Sequence, residues 1–229
     1  MAPGWYGKLP ALGDFASRRL PSGFVAAWDG WLQRGMIHSQ ERLGAAWLDS
    51  FLNAPVWRFV LGERTLDTQV WAGIVLPSVD RVGRYFPLTL CAALPGFNFS
   101  TEALLALERW MLVLEDGARS GLDPQVSLDV FEMRLADCPP PLFSVPQASV
   151  FGNALAHGDL FVSLEQQPGG HGLIGLVGDA ALHATNTLFS SSSLWWCAGP
   201  DGTAGGFACH GMPSPAVFAD MLQYVPEPA

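Results

Sequence analysis

The chain has 229 residues and a formal net charge of −9, with 14% of its residues charged and 49% hydrophobic. Residues 1–84 carry nine basic and seven acidic side chains, residues 85–229 carry three and fourteen, and no Lys or Arg follows Arg134. Nucleic-acid binding and docking on an anionic membrane both require clustered cations, so this balance argues against them and directs any anionic partner to the first third of the chain.

Gly4-Trp5-Tyr6-Gly7-Lys8-Leu9-Pro10-Ala11-Leu12-Gly13-Asp14-Phe15 opens the chain, dense in residues that set backbone path rather than chemistry. Pro21-Ser22 starts a helix with Ser22 as its N-cap, and Phe24, Trp28 and Trp31 recur along it at helical spacing. Past Gly44, a second apolar stripe of Leu43, Trp47, Leu48 and Phe51 ends at Asn53-Ala54-Pro55. Val56–Leu61, Gln69–Leu76 and Tyr85–Leu94 are rich in β-branched and aromatic residues. Their short connections make them consecutive antiparallel strands. Ser100 or Thr101 caps a further helix carrying Leu104, Leu107, Met111 and Leu114 on one face, and a short helix covers Gln125–Arg134. Cys138-Pro139-Pro140-Pro141 interrupts regular structure, as a subdomain break near 137–147 or as a stiffened surface loop. Asp159–Glu165 reads as a strand, Gln167–Gly172 as a turn, Leu194–Ala198 and Gly206–His210 as strands, and Pro213–Tyr224 as a last helix.

This order predicts a single α+β domain over 1–229, a mostly antiparallel sheet with helices packed on both faces. Trp28, Trp31, Trp47, Phe59, Trp71 and Phe86 should be largely buried. Cys91, Cys138, Cys197 and Cys209 lack paired spacing, and the N-terminus lacks a signal-peptide pattern. Both features suit reduced thiols in a cytoplasmic protein.

Motifs that would carry chemistry are incomplete. Gly170-His171-Gly172-Leu173-Ile174-Gly175 has the dinucleotide-binding spacing, but the run after it breaks at Gly178-Asp179, and twenty positions on there is a serine run instead of an acid. Gly7-Lys8 lacks the glycine spacing and the hydroxyl residue of a phosphate-binding loop. His38, His157, His171, His183 and His210 form no i, i+4 pair, so no metal site is expected. No cofactor motif and no activated serine stand out. Two charged features remain. Lys8 is either a fixed point charge or a solvated one. Asp80, Arg81 and Arg84 share a Gly83 turn, in which Asp80 pairs with an arginine or the arginines engage a carboxylate or phosphate.

The opening block, followed by Leu20-Pro21, Phe24 and Trp28-Asp29-Gly30-Trp31-Leu32-Gln33, resembles the TagF family associated with bacterial type VI secretion. So does Asp80-Arg81-Val82-Gly83-Arg84-Tyr85-Phe86-Pro87-Leu88, and Ser193-Leu194-Trp195-Trp196 is similar as well. The resemblance is densest from Gly4 to Leu94. It implies a cytoplasmic accessory factor, not an enzyme, that restrains secretion post-translationally by contacting the forkhead-associated scaffold protein, Fha. The motif residues Lys8, Asp14, Arg18, Arg81 and Arg84 are then expected to bind that partner. The competing expectation is an enzyme with an unfamiliar site near Lys8, Asp14 and Arg84. Convergence of those side chains in one concave pocket would favour it.

Overall fold

The computed structural model describes residues 2–144, 173–199 and 203–226. Strands β1 (Gly4–Gly7) and β2 (Ala16–Arg18) precede the long helix α1 (Ser22–Leu43) and the short α2 (Trp47–Leu52). Strands β3 (Trp57–Leu61), β4 (Trp71–Leu76) and β5 (Leu88–Ala93) follow, then helices α3 (Thr101–Gly121) and α4 (Leu128–Ala136). Beyond these come α5 (Leu173–Phe189), β6 (Ser192–Ala198), β7 (Ala204–His210) and α6 (Pro215–Gln223). The seven strands form one sheet in the order β2-β1-β5-β4-β3-β6-β7, and every neighbouring pair is antiparallel. The fold is α+β, as the periodicities predict.

The two faces of the sheet are covered by different helices. On one, Trp57, Phe59, Leu61, Trp71, Val75 and Trp195 pack with Phe24, Trp28, Trp31 and Leu32 of α1 and Phe218, Met221 and Leu222 of α6. On the other, Trp5, Val60, Ile74, Leu88 and Leu90 meet Leu107, Trp110, Met111 and Leu114 of α3 and Phe131 and Leu135 of α4. Side chains alternate across a strand, so a sheet covered on both sides needs apolar residues at successive positions. Trp71–Leu76 is buried throughout for that reason.

The first face is largely indole, and an indole N–H taken out of water needs an acceptor. Trp28 donates to Thr89 Oγ1 at 2.8 Å, Trp31 to the Pro213 carbonyl at 2.8 Å, Trp57 to the Met221 carbonyl at 3.0 Å and Trp195 to Ser193 Oγ at 2.8 Å. These bonds pin α1, α6 and the sheet in register at fixed points, which apolar contact alone does not do. On the opposite face the buried Arg58 of β3 donates from Nε to Glu115 Oε1 at 2.6 Å and lies 3.6 Å from Glu108, so α3 holds it through two carboxylates.

Several expectations need correction. β1 and β2 lie where only an irregular opening was expected. Gly4 and Gly7 flank Trp5 and Tyr6 because the backbone there runs against its neighbours. A Cβ on Gly7, at φ +136, would stand 2.2 Å from the Pro87 carbonyl oxygen. Pro21, not Ser22, takes the N-cap position of α1 and makes no side-chain cap, whereas Ser100 does cap α3 by accepting from the Ala103 amide. Trp47 is half-buried. Leu104 sits at the margin of its helix face, 37% exposed. The break expected at Gly178-Asp179 is absent, because α5 runs through both into Ala180, Ala181 and Leu182, good helix formers that outweigh one glycine. The strand expected at Asp159–Glu165 and the turn at Gln167–Gly172 lie outside the described residues.

Thr89→Val should leave the Trp28 indole N–H buried without an acceptor and cost about 1–3 kcal/mol of stability in denaturant titration. Combined with Trp28→Phe, which removes the donor as well, the two losses should sum to more than the double variant shows. Strict additivity would mean that the bond carries nothing.

Candidate functional site

The Asp80–Arg84 segment joins β4 to β5 and turns tightly. The Gly83 amide donates to the Asp80 carbonyl at 3.0 Å, the Asp80 amide to the Arg84 carbonyl at 3.1 Å, and Gly83 supplies φ +83. Asp80 Oδ1 accepts from the Val82 and Arg84 amides at 3.0 and 2.9 Å, and Oδ2 from Arg84 Nε at 2.7 Å. This much is a local Asx-type turn, the conformation favoured by a short carboxylate followed by glycine.

The long-range part comes from the opening block. Lys8 Nζ lies 3.0 Å from Asp80 Oδ2, with both side chains essentially buried. Lys8 also sits 4.7 Å from the centre of the Phe15 ring, a favourable place for a cation. Ser78 Oγ donates to the Lys8 carbonyl at 2.7 Å, and the Arg81 amide to the Leu12 carbonyl at 2.8 Å. The Arg84 guanidinium donates to the Gly13 carbonyl and approaches Asp14 at 3.7 Å. The two motifs, far apart in sequence, thus form one layer around a single carboxylate. Burial works against the charge on Asp80. The hydrogen bonds from the Arg84 amide, Lys8, the Arg84 guanidinium and the Val82 amide outweigh it and hold the carboxyl well below its ordinary range.

The motif in α1 is tied in the same way. Tyr6 OH donates to Asp29 Oδ1, and Gln33 Nε2 donates to Asp29 Oδ2 at 2.6 Å. Burial, together with the Asp29 carboxylate, pushes the Tyr6 hydroxyl far above the usual phenol range. Arg19, which holds a left-handed backbone at φ 59, donates to the Pro3 carbonyl at 2.8 Å and to Glu132 at 2.7 Å, and Glu132 also accepts from the Trp5 indole. Sequence reasoning missed Asp29, Arg19 and Glu132 as clamps, since no spacing rule joins Glu132 to the N-terminus.

The expected site residues therefore separate. Lys8, Asp14 and Arg84 come together around Asp80, but Lys8 is interior and its charge is matched there, so it offers no free ammonium at the surface. Of the arginines beside Asp80, it is Arg84 that makes the ion pair. Arg81 points to solvent beside the exposed Val82 and lines an open depression of about 430 Å³ with Pro10, Ala11, Gln125 and Ser127. Arg18 stands apart on β2, bonded at 3.1 Å to the carbonyl of its neighbour Ser17. The depression at Arg81 takes in Asp80 but not Lys8, Asp14 or Arg84, so those three side chains do not line it together.

Nucleophiles and metal ligands are not assembled elsewhere among the described residues. No cluster of three His, Cys, Asp or Glu there could hold a metal ion. The four cysteines are free, three of them buried and Cys209 half-buried. Burial raises the Cys91 and Cys138 thiols, and it pushes Cys197 up to about 11 against the pull of Arg58. His210 Nδ1 donates to the Ser191 carbonyl, and His157 and His171 lie outside the described residues. No helix among the described residues is long and apolar enough to cross a membrane.

Asp80→Asn should lower stability at neutral pH by leaving Lys8 buried without its counter-charge. The acid limb supplies the sign. The unfolded carboxyl takes up a proton near its ordinary value of 3.8, while the folded one resists protonation until well below that. The stability it contributes is present above about pH 4 and is lost as pH falls further. The gap between wild type and Asp80→Asn in thermal melts should therefore narrow steadily below pH 4. A gap independent of pH would show that the charge is immaterial.

Residues 4–138 match the family described as TagF N-terminal domain, type VI secretion system-associated. No curated protein matches the chain. Among solved structures, the crystal structure of PA0076 from Pseudomonas aeruginosa PAO1 at 2.05 Å resolution is similar at 35% sequence identity and a TM-score of 0.74. The alignment covers 96% of this chain and 94% of that one. With the Lys8–Asp80 layer and the Asp29 clamp built from the residues that carry the resemblance, the chain belongs to the TagF N-terminal domain family associated with type VI secretion.

Proposed function

We propose that this protein is a cytoplasmic, non-catalytic regulator that restrains type VI secretion after translation by binding the forkhead-associated scaffold protein. Family membership carries this reading. The construction of the motif layer supports the non-catalytic part. Its carboxylate is saturated with donors and its lysine is interior and paired with that carboxylate, so neither side chain is open to a substrate. What the layer does present outward is Arg81 and the half-exposed Arg84, on a turn whose amides are all hydrogen-bonded, together with the exposed Asp14 of the opening block. A fixed guanidinium at a surface is suited to engaging a carboxylate or phosphate on another protein.

Arg81 is the residue to test first, because only its backbone amide is engaged among the described residues. Arg81→Glu should leave the circular dichroism spectrum and melting temperature unchanged. It should weaken capture of the forkhead-associated partner about three- to tenfold, with a smaller salt dependence than wild type. Unchanged capture by folded Arg81→Glu protein would place the contact elsewhere. Arg84→Ala should both weaken binding and lower stability, since Arg84 also holds Asp80.

Purified protein should show no saturable thermal stabilisation by nucleotides with divalent metal, and no hydrolysis of phosphate esters. Stabilisation that saturates at micromolar nucleotide would overturn the non-catalytic reading.

A further inference from the structure

The two edges of the sheet are built in opposite ways. β2 is three residues long, carries the exposed Arg18 and is ended by Arg19 at φ 59. Short length, charge and a sharp turn all discourage a further strand from pairing there. β7 is seven residues long, Ala204-Gly205-Gly206-Phe207-Ala208-Cys209-His210, and contains no Lys, Arg, Asp, Glu or Pro. No described strand lies beyond it.

The register with β6 shows which backbone groups of β7 face outward. Gly199 N donates to the Thr203 carbonyl at 2.7 Å, and Gly211 N to the Ser191 carbonyl at 2.8 Å. Both belong to the series that pairs Cys197 with Gly205, Trp195 with Phe207 and Ser193 with Cys209. In an antiparallel ladder the bonded pairs alternate with non-bonded ones. Gly205, Phe207 and Cys209 therefore turn their N–H and C=O toward β6. Ala204, Gly206, Ala208 and His210 turn theirs to the open side, and all four are exposed.

We propose that β7 is an assembly edge, and that its occupant is the β7 of a second copy of this chain, paired antiparallel about a two-fold axis at Phe207. That axis sets Ala204 against His210 of the second copy and Gly206 against its Ala208, so every outward N–H and C=O meets a partner. Phe207 then faces its own symmetry mate in a non-bonded pair, the close kind in which aromatic side chains touch across strands. The seam is self-complementary, as a two-fold interface must be. It also brings no charged residue against its copy, although each chain carries −9 overall. On the outer face the seam residues are small, apart from His210, so the two sheets continue into one without a steric step. A peptide strand from an unrelated protein would be bound by the same backbone groups, and the experiment separates that case.

Sedimentation velocity over a range of concentrations should give a species of twice the 24.6 kDa chain mass, dissociating on dilution. Ala204→Lys/Ala208→Lys protein should remain monomeric with an unchanged far-ultraviolet spectrum, since both side chains point away from the core but crowd like charges across the axis. Hydrogen exchange on wild type gives a reading that needs no variant. The amides of Ala204, Gly206, Ala208 and His210 should slow with rising concentration, while those of Gly205, Phe207 and Cys209 stay protected throughout. A wild type monomeric at all concentrations would overturn the proposal. So would a dimer that survives the double substitution, or a dimer in which the four outward amides still exchange fast. Protection of those four amides only on addition of the forkhead-associated protein would likewise overturn it, in favour of a foreign strand.

Discussion

A carboxylate buried away from solvent must collect donors from its surroundings, and Asp80 collects them from two stretches of chain far apart in sequence. Its own turn supplies two amides and a guanidinium, and the opening block supplies the one lysine of the protein. Replacing a buried pair like Lys8–Asp80 with apolar residues need not cost stability, but removing one member strands the other, so the two are committed jointly. What the pair contributes is location. Lys8 follows β1 directly, and Asp80 lies in the loop that feeds β5. Their contact sets where the chain after β1 runs, alongside the ladder that pairs β1 to β5 through Gly4–Cys91, Trp5–Leu90 and Tyr6–Thr89.

From that anchor the rest of the motif residues fall into place as connectors between layers. Tyr6 leaves β1 toward α1 and is caught by Asp29. Trp5 leaves it on the other side, packing edge-on against Phe131 at 5.8 Å and bonding Glu132. One four-residue strand thus ties both helical layers to the sheet. Gly4 and Gly7 bracket it because the flanking backbone and the Leu20 side chain leave no room for a Cβ. A motif of this kind is demanding in sequence without being a reaction centre, and most of its residues face inward.

The parts of this architecture that were legible from sequence share one property, a local period. The three strands from Trp57 to Ala93 and the helices at Thr101, Leu128 and Pro215 could be read within a residue or a few of their ends. β1 could not, since Trp5 and Tyr6 are both apolar and both buried, and four residues are too few to show alternation. α5 was hidden by Gly178 and by a composition that reads as loop where small residues and serines crowd. At the site, the pairing of Asp80 with an arginine four residues on was readable from the turn itself. The pairing with Lys8 was not, because nothing local marks two opposite charges as neighbours when two helices and three strands separate them. The same limit applied to Arg19 with Glu132 and to Arg58 with Glu108 and Glu115.

The indole-rich face of the sheet has an optical consequence. Trp28 lies 4.8 Å from Trp31 and 6.1 Å from Trp195, and Trp31 lies 5.2 Å from Trp195, measured between ring centres. At such spacing the excited states of the three chromophores mix, and energy absorbed by one is shared among them. The near-ultraviolet dichroism of this protein should thus be dominated by one collective signal from the trio, and its emission by whichever member is the lowest in energy. Separating α1 from β6 by a few ångströms would remove the Trp195 share of that signal and leave the Trp28–Trp31 pair, with helix and strand content untouched, which makes the trio a built-in gauge of how firmly that layer is seated.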